Sequence, residues 1–248
     1  APVVLRHDLD EAGRATLLAH DTDPFARWEA GRGLAIDALI ARVGGDTDAG
    51  AAYVRAIGSF LDGAAADPAF AALVLRLPPE DEIATLLHDR GIVPDPDAIH
   101  AARESLARDL ARAHEGTLAA LFDAMEVPGP YSPDAEPSGR RALRLEALSL
   151  LTRLDGGARA RALWDGARNM TERMGALASL VRVGQADDAL RGMETEFGAN
   201  RLVMDKFFAV QPMAAAPGRA VEIARTLAGR PDFDWRNPNR FRALIGGL

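Results

Sequence analysis

The chain has 248 residues, enough for one large domain or two small ones whose core needs no disulfide or metal. Acidic residues outnumber basic ones, 36 to 29, and the net charge of −7 repels phosphate backbones, which argues against nucleic acid as a partner. There is no cysteine, so a disulfide framework, a thiolate nucleophile and a Cys-based zinc or iron–sulfur site are excluded.

No apolar run approaches the roughly 20 residues that a membrane span needs. The opening Ala1-Pro2-Val3-Val4-Leu5-Arg6 is not a basic-then-apolar export signal. The expectation is a soluble, cytoplasmic chain with no membrane partner. Pro2-Val3-Val4-Leu5 is the one strand-like piece, and residues 1–8 read as a junction from a preceding β domain.

From residue 9 onward the sequence predicts helices. Apolar residues make up 48% of the chain and aromatic ones only 6%, because much of the apolar content is alanine, the best helix former. Asp23-Pro24, Asp67-Pro68 and Asp95-Pro96 each offer an acidic N-cap followed by proline at the first helical position. Phe25, Trp28, Arg32, Ile36, Leu39 and Val43 follow the first at helical spacing, and Phe70, Leu73, Val74 and Leu77 follow the second. Ile99, Leu106, Leu110, Leu118, Leu121, Phe122 and Met125 follow the third and predict one long helix over about 97–125.

Pro128, Pro130 and Pro133 then impose a loop, read as internal to one domain. Beyond it Leu143, Leu145, Leu148, Leu151 and Leu154 mark the next helix. Shorter helices then alternate with turns at Asp155-Gly156-Gly157, Gly184, Gly198, Pro217-Gly218 and Gly229-Arg230-Pro231. Short helices joined by tight turns pack antiparallel on their neighbours. The fold class expected is all-α, an irregular α-solenoid: an armadillo/HEAT-like superhelix of antiparallel helix pairs over residues 9–248.

Constellations for chemistry are scarce. No two of His7, His20, His88, His100 and His114 stand four apart on a helix, the spacing that lets two imidazoles grip one zinc ion. His114-Glu115-Gly116-Thr117-Leu118 has leucine where the second histidine would be, so His114 reads as a surface or packing residue. Glu80-Asp81-Glu82 and Asp187-Asp188 fall at helix starts, where carboxylates complement the helix dipole. Glu194 in Gly192-Met193-Glu194-Thr195 reads as a helix-surface acid. Thr171 reads as an N-cap before Met174, Leu177 and Val181.

Three motifs in the second half carry a resemblance. They are Asn169-Met170-Thr171-Glu172 with Ala176-Leu177-Ala178, then Leu202-Val203-Met204-Asp205-Lys206-Phe207-Phe208, then Asn237-Pro238-Asn239-Arg240-Phe241-Arg242-Ala243-Leu244-Ile245-Gly246. In this order they resemble the C-terminal helical domain of bacterial aminopeptidase N, the alanyl aminopeptidases of the gluzincin class. Phe25-Ala26-Arg27-Trp28-Glu29-Ala30 and Arg140-Arg141-Ala142-Leu143-Arg144 extend the resemblance upstream. Leu145 and Phe207 depart from the family's usual asparagine and tryptophan.

The resemblance implies a non-catalytic domain that encloses the active-site cleft of a zinc-dependent aminopeptidase and restricts peptide access. The parent removes N-terminal amino acids from peptides, with its zinc in a catalytic domain outside these residues. The implied partners are the parent's own catalytic and β domains. No catalytic, cofactor-binding or metal-ligating residue is carried over onto this chain. The alternative is a free-standing helical-repeat scaffold that binds a peptide or protein on its concave face.

Asp205, Lys206, Arg240 and Arg242 are the candidate interhelix or cleft-lining charges. Lys206 is the only lysine of the chain and sits in an apolar run, so it is expected to be part-buried and paired. Arg240 and Arg242 are expected to point away from a stripe of Phe241, Leu244 and Ile245. The family's domain continues for several helices past the last motif, so that stripe is expected to form an open edge through which the chain self-associates, or at which the last turn frays.

Overall fold

Aspartate followed by proline starts three helices by the same local chemistry. In a computed structural model that describes residues 9–246, the Asp23 carboxylate accepts from the Ala26 amide at 2.7 Å, Asp67 from Phe70 at 3.0 Å, and Asp95 from Asp97 and Ala98 at 2.9 and 3.2 Å. Each aspartate satisfies amides that the first helical turn leaves without partners, and the proline behind it needs none. Residues 1–8, with the strand-like piece and the junction assigned to them, lie outside the described residues. Among the described residues the secondary structure is helical throughout, and no helix is long and apolar enough to cross a membrane.

The described residues fall into two compact units. Unit 1 comprises the described parts of Ala1–Pro128 and Ser132–Glu146. It holds α1 (Glu11–His20), α2 (Pro24–Val43), α3 (Ala51–Leu61), α4 (Pro68–Leu75), α5 (Glu80–Asp89), α6 (Pro96–Ala113), α7 (Glu115–Ala124) and the first part of α8 (Ala135–Asp155). Its centre is α2, which packs against α1, α3, α4, α5 and α6.

The face that α2 buries keeps Leu39 of the expected stripe and otherwise differs from it. Ala30, Gly31, Leu34, Ala35, Ala38, Leu39 and Arg42 are inside, whereas Phe25 is 66% exposed and Trp28 and Arg32 are half-buried, the Arg32 guanidinium lying over the Trp28 ring. Small residues win that face because five helices must approach one axis. A Cβ on Gly31 would already lie 3.3 Å from Leu18, a fully buried side chain of α1.

The long helix expected over 97–125 is two helices. α6 ends at His114, whose φ of −125° and ψ of 24° leave the helical range, and α7 starts directly after it. The His114 ring turns onto α3, where Nε2 donates to the Val54 carbonyl at 2.8 Å. Gly58 makes room for it: a Cβ there would lie 2.6 Å from the ring. The apolar face of the expected helix survives the break, since Ile99, Leu106, Leu110, Leu118, Leu121, Phe122 and Met125 are all buried. The longest described helix is α8.

Unit 2 comprises Gly129–Tyr131 and the described part of Ala147–Leu248. It holds the second part of α8, then α9 (Ala158–Gly166), α10 (Met170–Arg182), α11 (Asp187–Phe197), α12 (Arg201–Met213), α13 (Ala220–Ala228) and α14 (Pro238–Ile245). Here helices pack on near neighbours in sequence: α9 on α10, α10 and α11 on α12, α12 on α13 and α14, α13 on α14. This near-neighbour packing is how helical repeats build a core. α10 starts earlier than expected. Its cap is Asn169, not Thr171, and accepts from the Glu172 amide at 2.9 Å while its own side-chain amide donates to the Glu172 carboxylate at 2.7 Å.

Tyr53 on α3 is buried, and that burial pushes its phenol pKa well above the ordinary value near 10, against a smaller lowering by Arg103. A raised folded-state pKa means that the stabilising neutral form is fully present below the ordinary tyrosine value. Stability is then lost as pH rises beyond it. In a Tyr131→Phe protein, which leaves Tyr53 as the only tyrosine, phenolate absorbance at 295 nm should appear together with loss of helical circular dichroism. Ionisation with the helices intact would show that the site is wet.

Candidate functional site

Two asparagine caps orient the charges singled out in the sequence. Asn200 starts α12 by accepting from the Leu202 and Val203 amides at 3.1 and 3.3 Å. Asn237 starts α14 by accepting from Asn239 and Arg240 at 3.0 and 3.4 Å, with Pro238 at the first position. Arg240 and Leu244 stand four apart and so share the face of α14 that is buried.

Arg240 is 5% exposed and has fixed protein oxygens on every nitrogen. Nε donates to Asp205 Oδ1 at 2.6 Å, Nη1 to the Asp232 carbonyl at 2.8 Å, and Nη2 to the Arg201 carbonyl at 3.5 Å. The guanidinium lies 4.5 Å from the centre of the fully buried Phe208 ring, itself packed on Phe233 at 5.7 Å. Arg230 adds a second cation 5.4 Å from Phe207 and 5.9 Å from Phe208, paired with Glu194 and with Asp232 Oδ1 at 2.8 Å. The hydrogen bond from Arg230 holds the Asp232 carboxyl below its usual range. Those same carboxylates hold the guanidinium above its own.

Lys206 departs from expectation. It is exposed and forms no ion pair among the described residues, because it shares the outer face of α12 with Leu202, four residues before it and 73% exposed. Arg240 departs as well: it lies on the buried side with Leu244, while Phe241 and Ile245, also four apart, are 46% and 40% exposed. Arg242 is exposed. The structure thus brings Asp205 and Arg240 together and leaves Lys206 and Arg242 at the surface.

A recess of about 160 Å³ borders this cluster, lined by Arg201, Met204, Asp232, Asp234, Asn237 and Arg240 among others. It is below the roughly 300 Å³ at which small-molecule sites begin. With every nitrogen of Arg240 turned onto protein oxygens, the arrangement clamps α12, α14 and the turn before α14 together. Among the described residues no three His, Cys, Asp or Glu side chains stand close enough to share a metal ion. Glu80 and Glu82 pair with His100 and Arg32, and His114 is held by Val54.

Sequence reasoning missed Arg230, which it read only as part of a turn, and Arg42, which is buried on α2 with its guanidinium on Ser105 and Asp109. The spacing from Ala35, Ala38 and Leu39 to Arg42 would have placed the latter on the inner face.

Removing one partner of a buried pair strands the other charge. Arg240→Met should therefore lower the unfolding free energy by about 3 kcal/mol, and Lys206→Met by less than about 0.5 kcal/mol. Urea titration followed by circular dichroism measures both. Equal effects of the two substitutions would remove Arg240 from its role.

Comparison with known proteins sets the chain in a family. The chain is 39% identical over 252 residues to Aminopeptidase N of Caulobacter vibrioides and 30% identical over 259 residues to Aminopeptidase N of Escherichia coli. The matches cover 99% and 100% of this chain but 29% of each relative, so the chain spans less than a third of their length. A crystal structure of Legionella pneumophila aminopeptidase A in complex with aspartic acid shares the fold over 100% of this chain and 30% of its own, with a TM-score of 0.85 at 22% identity. Over residues 11–248 the chain matches the family described as "Domain of unknown function (DUF3458_C) ARM repeats", and it belongs to that family, the C-terminal helical domain of aminopeptidase N-type proteins.

Proposed function

We propose that the chain serves as the non-catalytic helical domain of a zinc-dependent aminopeptidase, enclosing the active-site cleft so that peptides enter and folded proteins do not. The parent then removes N-terminal amino acids from peptides, with its zinc held by a separate catalytic domain. The carrying observation is the match along essentially the whole of this chain to part of Aminopeptidase N. The buried arginine clamp of unit 2 supports the reading, because a domain that shapes a passage needs helices fixed in register.

The test uses the full reading frame that encodes the chain. Its product should release alanine from alanyl p-nitroanilide, lose that activity to a chelator and regain it with zinc, while the 248-residue chain alone releases nothing. The product should also trim short peptides and spare a folded protein with the same N-terminal residues. Turnover by the chain alone, or equal trimming of both substrates, would overturn the reading.

A further inference from the structure

An open groove of about 520 Å³ lies in unit 1, where α3, the end of α6 and the turn after α2 meet. Its size falls within the range of small-molecule sites. Arg42, Thr47, Asp48, Arg55, Asp109 and Arg112 supply its polar lining.

These charges do not cancel. The Arg42 guanidinium is buried and held at each nitrogen: Nε donates to the Ala49 carbonyl at 2.8 Å, Nη1 to Ser105 Oγ at 2.6 Å and Nη2 to Asp109 Oδ2 at 2.7 Å. It neutralises Asp109 and fixes one wall. Arg55 on α3 and Arg112 on α6 are exposed and enter no ion pair among the described residues. Asp48 is the one remaining carboxylate of the lining. In a chain of net charge −7, two arginines without acidic partners on one concave surface make a local positive field where the molecule as a whole is negative.

Guanidinium groups present paired donors whose spacing matches the oxygens of carboxylates and phosphates. We propose that this groove binds a small anion of phosphate or carboxylate type, with Arg55 and Arg112 as its forks and the Thr47 hydroxyl as a further donor. Asp48 weakens the hold on any anion, and the lining still favours a dianion over a monoanion because its net charge remains positive and the attraction scales with the ligand's charge. The wall fixed by Arg42 is rigid, so the site is set by the fold and the ligand orders only the two exposed side chains. This assignment is independent of the aminopeptidase reading and stands or falls on its own test.

Calorimetric titration of the chain with inorganic phosphate, and separately with succinate, at constant ionic strength distinguishes the two sources of the anion. Saturable binding of one equivalent of either is expected, and whichever binds more tightly names the class. Arg55→Gln and Arg112→Gln each remove a charge-assisted hydrogen bond to the ligand, so affinity should fall roughly tenfold in each variant, and acetate should bind more weakly than succinate. Asp48→Asn should tighten binding. Both arginines are exposed, so the variants should melt as the wild type does, and Arg219→Gln in unit 2 serves as the remote control. No saturable heat with either anion at millimolar concentrations, or unchanged binding in the double arginine variant, would overturn the proposal.

Discussion

The constraint on which unit 1 depends is the narrowness of one face of α2. Five helices reach that axis, and they can do so only because Ala30, Gly31, Ala35 and Ala38 keep the backbone accessible. Close packing at such a face leaves no slack for an added methyl group. Larger side chains of the same helix, Phe25 and Trp28, are displaced toward the rim, where their rings meet at 5.8 Å. The same economy of space recurs at Gly58, whose missing side chain admits the His114 ring and so allows the chain to turn from α6 into α7.

Unit 2 solves a different problem with different residues. Its short helices have little surface each, and the junction of α12 with α14 is built from two cations over a pair of phenylalanines, closed by three carboxylates. A guanidinium can satisfy both an apolar ring and several oxygens at once, through its flat face and its edge respectively. A lysine in place of Arg240 would have one point charge to divide among three acceptors. The chain's almost exclusive use of arginine as its cation therefore has a structural use here, whatever its origin.

What the sequence revealed depended on contrast. The face of α6 and α7 was legible because leucine, isoleucine and phenylalanine stand out against charged neighbours, and it held even where the helix itself broke. The inner face of α2 was not, because alanine and glycine carry almost no hydropathic contrast and the aromatics of the same helix dominate the pattern. The aspartate caps were readable from two adjacent residues, Asp followed by Pro, since their chemistry is local; Asn169 and Asn200 have no proline behind them and were not read as caps. The pairing of Asp205 with Arg240 joins residues far apart in sequence, so the motifs could name both without predicting that they meet. Lys206 was misplaced for a further reason: the run from Leu202 to Phe208 is apolar on nearly every side of its helix, and only the neighbours of α12 decide which side faces out.

The outward position of Lys206 has a practical side. It is the only side-chain amine in the chain, and it stands on the exposed surface of a helix whose opposite surface is buried. An amine-reactive dye therefore has a single side-chain target, fixed in a defined place on α12. Attached there, a probe would report on whatever approaches that surface without disturbing the arginine cluster beneath it.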